Sequence, residues 1–163
     1  MTPEKKQEEL VDQWKLNLQV TRALTNLTPS RAKKINLDDV YPIEIMTAMS
    51  AFLKKELRET LMCYSFCLWT PTALMCFRII EREIKRYLKI FHNVTETMSS
   101  LGSSINQFKQ YSNNEIFLQN LERIKELRNR GMHGEDRFAP RMVKDLLRTT
   151  LIIVSWTNNI KRK

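Results

Sequence analysis

The chain has 163 residues, of which 42% are hydrophobic and only three are glycine. This length suits one hydrophobic core and is short for two, so we expect a single domain over residues 1–163. With 27 Lys and Arg against 18 Asp and Glu, the formal net charge is +9. Such a charge attracts polyanions such as nucleic acid, and it is equally compatible with lysines that only keep a small protein soluble.

The cysteines and the apolar segments indicate the compartment. Cys63, Cys67 and Cys76 are an odd number of cysteines in apolar surroundings, which predicts free thiols packed in the core and neither disulfides nor a zinc site. The N-terminal MTPEKKQEEL is charged where a signal peptide is apolar, and no apolar run reaches the roughly 20 residues of a membrane span. We therefore expect a cytoplasmic protein with no membrane partner, no metal and no cofactor.

The N-terminal part of the chain contains two segments with helical periodicity. Apolar residues at spacings of three and four predict one helix over about 3–26 and another over about 42–68. The connection between them, residues 26–42, mixes Pro, Ser, Asn and Asp with basic residues and shows no periodicity. It predicts a loop.

A third helix begins in the segment WTPTALMCFRIIEREIKRYLKIFHN. Thr70 is a suitable N-cap and Pro71 a suitable first helical residue. The apolar stripe of this helix steps by three and four through Phe77, Ile80, Ile84, Tyr87 and Phe91. Glu81 borders the stripe, where a carboxylate is costly unless it is paired. We favour an i, i+4 pair with Lys85 over a catalytic role, and expect Glu81 to serve folding more than chemistry.

Three more helices are predicted. The first lies near 103–111, the second begins after a cap at Asn113 or Asn114, and the third covers about 140–160. In the second of these, the apolar stripe runs through Phe117, Leu121 and Ile124, and its next position is Arg128. An arginine on an apolar stripe is typical of a functional site, although an arginine that extends from a helix end gives the same pattern.

The stretch ELRNRGMHGEDRF, residues 126–138, permits a purely structural interpretation. In that interpretation Gly131 closes the helix in the left-handed conformation, and Arg128 and Arg130 interact with the negative end of the helix dipole. His133 then caps a free carbonyl group. This interpretation leaves unexplained why the arginine continues the apolar stripe.

The same stretch also permits a catalytic interpretation. On a straight helix, Arg128 and His133 are about 140° apart, so they share a pocket only if the helix ends or loosens at Gly131. An imidazole that transfers a proton and a guanidinium that stabilises charge on phosphorus together suit metal-free phosphodiester cleavage. Asn129 would orient the imidazole or the phosphate by hydrogen bonding.

The motif RNRGMH resembles the Arg-x(4–6)-His signature of the HEPN superfamily, all-α domains named for higher eukaryotes and prokaryotes nucleotide-binding. Arg128 and His133 match the two signature positions. The segment PTALMCFRIIEREIKRYL resembles the family helix in which an arginine, here Arg78, precedes a glutamate, here Glu81, by three residues. LERIKELRNRGMHG and the helix after it resemble the uncharacterised bacterial and archaeal branch. The resemblance covers roughly residues 38–158.

This resemblance implies an up-and-down bundle of four to five helices, to which the helix at about 3–26 is an extra, accessory element. It implies a homodimer that acts as a metal-independent endoribonuclease and as a toxin or defence effector, with RNA as substrate and an antitoxin or regulatory protein as a further partner. The implied catalytic residues are Arg128, Asn129 and His133, and the implied supporting residues are Glu81, Arg78 and Arg130. The alternative is a non-catalytic dimer that binds RNA, a nucleotide or a protein.

Overall fold

The computed structural model describes residues 15, 18–95, 99–112, 115–132 and 137–159. These residues contain α1 (described over 18–24), α2 (Pro29–Ala32), α3 (Leu37–Val40), α4 (Ile43–Ala48), α5 (Ala51–Ser65), α6 (Trp69–His92), α7 (Leu101–Phe108), α8 (Glu115–Met132) and α9 (Pro140–Asn159). No strand occurs within these ranges, so the predicted all-α class is confirmed. None of the helices described is both long and apolar enough to cross a membrane.

The segment predicted as a loop over 26–42 contains the two short helices α2 and α3. At the start of α2, the Thr28 hydroxyl accepts a hydrogen bond from the Arg31 backbone N–H, and Pro29 occupies the first turn. Thr28 is therefore an N-cap, which stabilises even a single helical turn. The prediction of a loop was wrong because helices of four residues are too short to show periodicity.

The helix predicted over 42–68 is divided at Met49 and Ser50. The backbone at both residues is extended, and the Ser50 hydroxyl accepts a hydrogen bond of 3.1 Å from the Leu53 backbone N–H. Ser50 therefore caps a new helix, α5, instead of continuing α4. The apolar spacing continues across this break, which is why the sequence predicted one helix.

Helix α6 begins at Trp69, so the prediction of Thr70 as its N-cap was wrong. Leu68 is the cap residue and makes no side-chain capping bond. Pro71 still lies in the first turn, where its missing N–H removes no intrahelical hydrogen bond. The predicted start of α9 at Pro140 is confirmed.

Helix α6 packs against α5, α7 and α9 and is the centre of the fold. Glu56 of α5 pairs with Arg78 of α6, whereas Cys63, further along α5, contacts Met75, which is earlier in α6. The two helices are therefore antiparallel. α7 and α8 are also antiparallel, because Asn106 contacts Lys125 while Lys109, further along α7, contacts the earlier Glu122.

The described part of α1 contributes to the same core as the later helices. Val20 and Leu24 are fully buried and belong to the hydrophobic cluster that includes residues of α5, α6 and α9. Leu10, Val11 and Trp14 of the predicted N-terminal stripe lie outside the described residues. The N-terminal helix therefore packs into the core through its C-terminal part.

One cysteine departs from the prediction of three core thiols. Cys76 is fully buried, and burial raises the pKa of its thiol to about 12. Cys63 is half-buried, with its sulfur 3.8 Å from that of Met75. Cys67 is exposed in the turn between α5 and α6, with a positive φ of 57°. The helix ends before Cys67, so the i, i+4 spacing from Cys63 no longer places both thiols on one face.

Glu83 is the buried carboxylate of α6, with 1% of its surface exposed. Its Oε2 accepts hydrogen bonds from the Thr157 hydroxyl and the Asn158 amide of α9, both at 3.0 Å. The Arg86 guanidinium donates to the same oxygen at 3.0 and 3.2 Å and also to the Thr157 carbonyl. These bonds join α6 to the C-terminal end of α9.

Glu81, the carboxylate that the sequence indicated, makes the predicted pair with Lys85. Lys85 Nζ lies 2.6 Å from Glu81 Oε1, and both side chains are about a quarter to a third exposed. The pairing interpretation is confirmed. Glu83, which the sequence analysis did not identify, has the larger network and the deeper burial, so it is the carboxylate of α6 on which folding depends most.

We predict that Glu83→Ala lowers the free energy of unfolding by about 3 kcal/mol or more, because it leaves the Arg86 guanidinium without its buried partner. Glu81→Ala, two residues away on the same helix, should cost less than about 1 kcal/mol, because partly exposed i, i+4 pairs contribute little. Urea unfolding followed by circular dichroism measures both. Equal losses for the two variants would contradict this assignment.

Candidate functional site

A groove of about 400 Å³ opens where α5, α6 and α8 meet. Its charged lining consists of four cations and one carboxylate, namely Arg78, Arg82, Lys85, Arg128 and Glu81. Its apolar lining consists of Phe52, Leu74, Phe77 and Met132. The cations outnumber the carboxylate, so the groove favours an anionic ligand.

Arg128 reaches the groove because α8 presents one continuous face to the interior. Leu121 and Ile124 on this face are buried, and Arg128, one turn further, is half-buried among the groove residues. The apolar periodicity of the sequence therefore predicted correctly which face of α8 carries Arg128. Within the described ranges, Arg128 makes no ion pair and no side-chain hydrogen bond, which leaves its guanidinium available to a ligand.

Arg78 and Arg82 are fixed by a carboxylate beneath the groove. Glu56 of α5 is buried and forms ion pairs with Arg82 and with Arg78, whose Nε lies 3.2 Å from Glu56 Oε1. Arg78 nevertheless keeps 70% of its side chain exposed. A buried carboxylate thus orients two cations of α6, one of which remains open to solvent.

Glu56 was missed in the sequence analysis, although the sequence contains a signal for it. It lies three residues after Leu53 and four before Thr60, both of which are buried on the inner face of α5. A glutamate at such a position requires a cationic partner from another helix. Glu81 lies at the border of an apolar stripe, whereas Glu56 lies within one. The sequence therefore indicates a paired carboxylate more strongly at Glu56 than at Glu81.

Of the other predicted site residues, some line the groove and some do not. Arg78 and Glu81 line the groove together with Arg128. Asn129 and Arg130 are exposed and do not line it. His133 lies outside the described residues, and in the sequence it directly follows Met132, a groove residue.

Gly131 does not close α8 in a left-handed conformation, because α8 continues through it to Met132. The expectation of a left-handed helix terminator at Gly131 was wrong, and the described part of α8 extends one residue further, to Met132. A Cβ atom at Gly131 would lie only 2.1 Å from Cζ of Phe138. The glycine is thus required by the close approach of an aromatic ring.

Phe138 connects the chain beyond α8 to the base of the groove. Its side chain is buried, and its ring centroid lies 5.9 Å from that of Phe77, a groove residue on α6. Phe138 therefore packs between the end of α8 and the middle of α6. The sequence analysis did not identify this residue, since a lone aromatic in a polar stretch has no periodicity.

Within the described part of the chain, no group of three or more His, Cys, Asp and Glu side chains is arranged to bind a metal ion. Comparison of the chain with protein-family models, with curated proteins and with solved structures finds no match.

We predict that Gly131→Ala destabilises the protein by about 2 kcal/mol, because the added methyl group displaces the Phe138 ring from a packed position. Gly102→Ala is the matched control. The nearest atom to a Cβ at Gly102 is 3.5 Å away on the flexible Lys125 side chain, so this helical substitution should be neutral or stabilise by up to about 1 kcal/mol. Thermal unfolding compares them, and similar melting temperatures would refute the proposed contact.

Proposed function

We propose that this chain is a metal-independent endoribonuclease whose RNA site is the groove formed by α5, α6 and α8. The observation that carries the proposal is the position of Arg128. It continues the buried face of α8, enters an open cationic groove, and has no partner among the described side chains. The resemblance of RNRGMH to the HEPN signature supports the same assignment from the sequence.

The groove suits the backbone of RNA because its cations are arranged around one opening. Arg78 is highly exposed, and Lys85 and Arg128 line the same space. Cations in this arrangement bind phosphates through charge, with little dependence on base sequence. We therefore expect binding that weakens steeply as the salt concentration rises.

In the proposed reaction, the 2′-hydroxyl of a ribose attacks the adjacent phosphorus. The bond from O2′ to phosphorus forms, the bond from phosphorus to O5′ breaks, and the products are a 2′,3′-cyclic phosphate and a 5′-hydroxyl. His133 either accepts the proton of the attacking hydroxyl or donates a proton to the leaving oxygen, and water carries the other of these two proton transfers. Arg128 stabilises the extra negative charge on the phosphoryl oxygens.

The other implied residues take secondary roles in this proposal. Arg78 contributes charge at the groove, and Glu81 orients Lys85 through their ion pair. Asn129 keeps its proposed role of orienting the imidazole or the phosphate by hydrogen bonding, and Arg130 adds positive charge; both are exposed and do not line the groove. We expect substitutions at these two positions to be milder than at Arg128.

We predict that the purified protein cleaves single-stranded or looped RNA in the presence of EDTA. His133→Ala should reduce the rate by about 100-fold or more, since removal of a general acid or base typically costs this much. Arg128→Ala should also abolish most cleavage, and Arg128→Lys should not restore it, because an ammonium does not reproduce the planar guanidinium. Gel analysis of a mixed RNA pool, with detection of 2′,3′-cyclic phosphate ends, measures these effects.

Arg123→Ala is the matched control for Arg128→Ala. Arg123 is an exposed arginine on the same helix and does not line the groove, so its substitution should leave cleavage unchanged. Equal cleavage by wild type and His133→Ala would identify a contaminating nuclease. RNA binding without cleavage by any variant would favour the alternative of a non-catalytic RNA-binding module.

The proposal extends to a cytoplasmic homodimer that acts as a toxin or defence effector and is controlled by an antitoxin or regulatory protein. We predict by analogy with the HEPN superfamily that light scattering gives a mass about twice the 19.4 kDa of one chain. A mass of one chain at tens of micromolar protein would exclude a site composed of two copies. The groove would still be present, because all of its lining residues belong to one chain.

A further inference from the structure

Phe52 is an aromatic ring placed at the cationic groove and left open to solvent. It lies in the first turn of α5, and 53% of its surface is exposed. It lines the groove and also a second cavity of about 110 Å³, which it shares with Arg78. A large apolar side chain exposed at the boundary between two cavities is suited to contact with a ligand.

One face of the ring already contacts a cation. Arg82 Cζ lies 4.7 Å from the centroid of the Phe52 ring, a cation–π contact. Glu56, buried beneath, fixes the Arg82 guanidinium through their ion pair. The ring is therefore supported by the Arg82 side chain, which is itself held in place. Little side-chain conformational entropy is then lost when a ligand binds.

Cations and an exposed aromatic ring in one groove match the chemistry of an unpaired nucleotide. The phosphate binds to cations, and the flat face of the base stacks on the ring. A base within a duplex has both faces covered by its neighbours, and proteins reach such bases only at loops, bulges and ends. The arrangement thus distinguishes single-stranded from double-stranded nucleic acid without reading the sequence.

We propose that Phe52, supported by Arg82, is a stacking platform for one unpaired base of the bound strand, while Arg128 binds the phosphate backbone. This inference rests on the proposed function for its substrate class and adds to it a determinant of selectivity. It assigns recognition of an unpaired base to α5, a helix that lies outside the RNRGMH motif.

The test uses a single-stranded 2′-O-methyl RNA, which binds but lacks the free nucleophile needed for cleavage. Fluorescence anisotropy compares its affinity with that of an abasic strand of equal length and charge. Phe52→Ala should weaken binding of the base-containing strand by about five-fold or more and leave binding of the abasic strand unchanged. Phe52→Trp should retain the affinity, because an indole ring also stacks.

Phe66→Ala is the matched control. Phe66 follows the other end of α5, is 61% exposed, and does not line the groove, so its loss should change neither affinity. Equal weakening by the two alanine variants, equal weakening of both strands by Phe52→Ala, or no binding by the wild type would each overturn the proposal. Binding with the expected Phe52 dependence, but without cleavage of ordinary RNA, would refute the nuclease assignment and leave the platform standing.

Discussion

Two buried glutamates determine how helix α6 is held against its neighbours and how its arginines are placed at the groove. Glu83 accepts hydrogen bonds from Thr157 and Asn158 and fixes α6 to the end of α9. Glu56 pairs with arginines on the part of α6 that faces the groove. Glu83 is both ion-paired and hydrogen-bonded, and Glu56 is ion-paired with two arginines, which offsets the cost of burying each charge. Two of the four groove cations, Arg78 and Arg82, are consequently held in place by a carboxylate of the core.

Among the charged residues around the groove, Arg128 differs from the arginines that are held in ion pairs. Arg86 and Arg82 are tied to buried carboxylates, whereas Arg128 has no partner within the described ranges. An anion that enters the groove therefore meets one guanidinium that needs no rearrangement of an existing ion pair. The neighbouring cations raise the local positive potential but remain partly neutralised by Glu56 and Glu81, which limits the repulsion among them when the groove is empty.

Local patterns in the sequence predicted the features that depend on residues close together along the chain. The all-α class, the start of α9 at Pro140, the pair of Glu81 with Lys85 and the inward register of Arg128 all follow from helical spacing. The groove itself could not be predicted, because Phe52 and Arg128 are brought together by the packing of α5, α6 and α8. The partners of Glu56 on α6 and of Glu83 on α9 could not be predicted for the same reason. The pair of Glu83 with Arg86, three residues later on the same helix, is local and could have been predicted. His133 stays a prediction.

The contact of Gly131 with Phe138 also restricts which substitutions the protein tolerates during evolution. A side chain at position 131 requires a smaller one at position 138, since a Cβ there would overlap the outer edge of the Phe138 ring. The two positions are therefore expected to change together, and a substitution at either one alone meets selection against it. Covariation between them in a set of related sequences would mark chains that retain the same contact between the end of α8 and Phe138, whichever residues stand at positions 128 and 133.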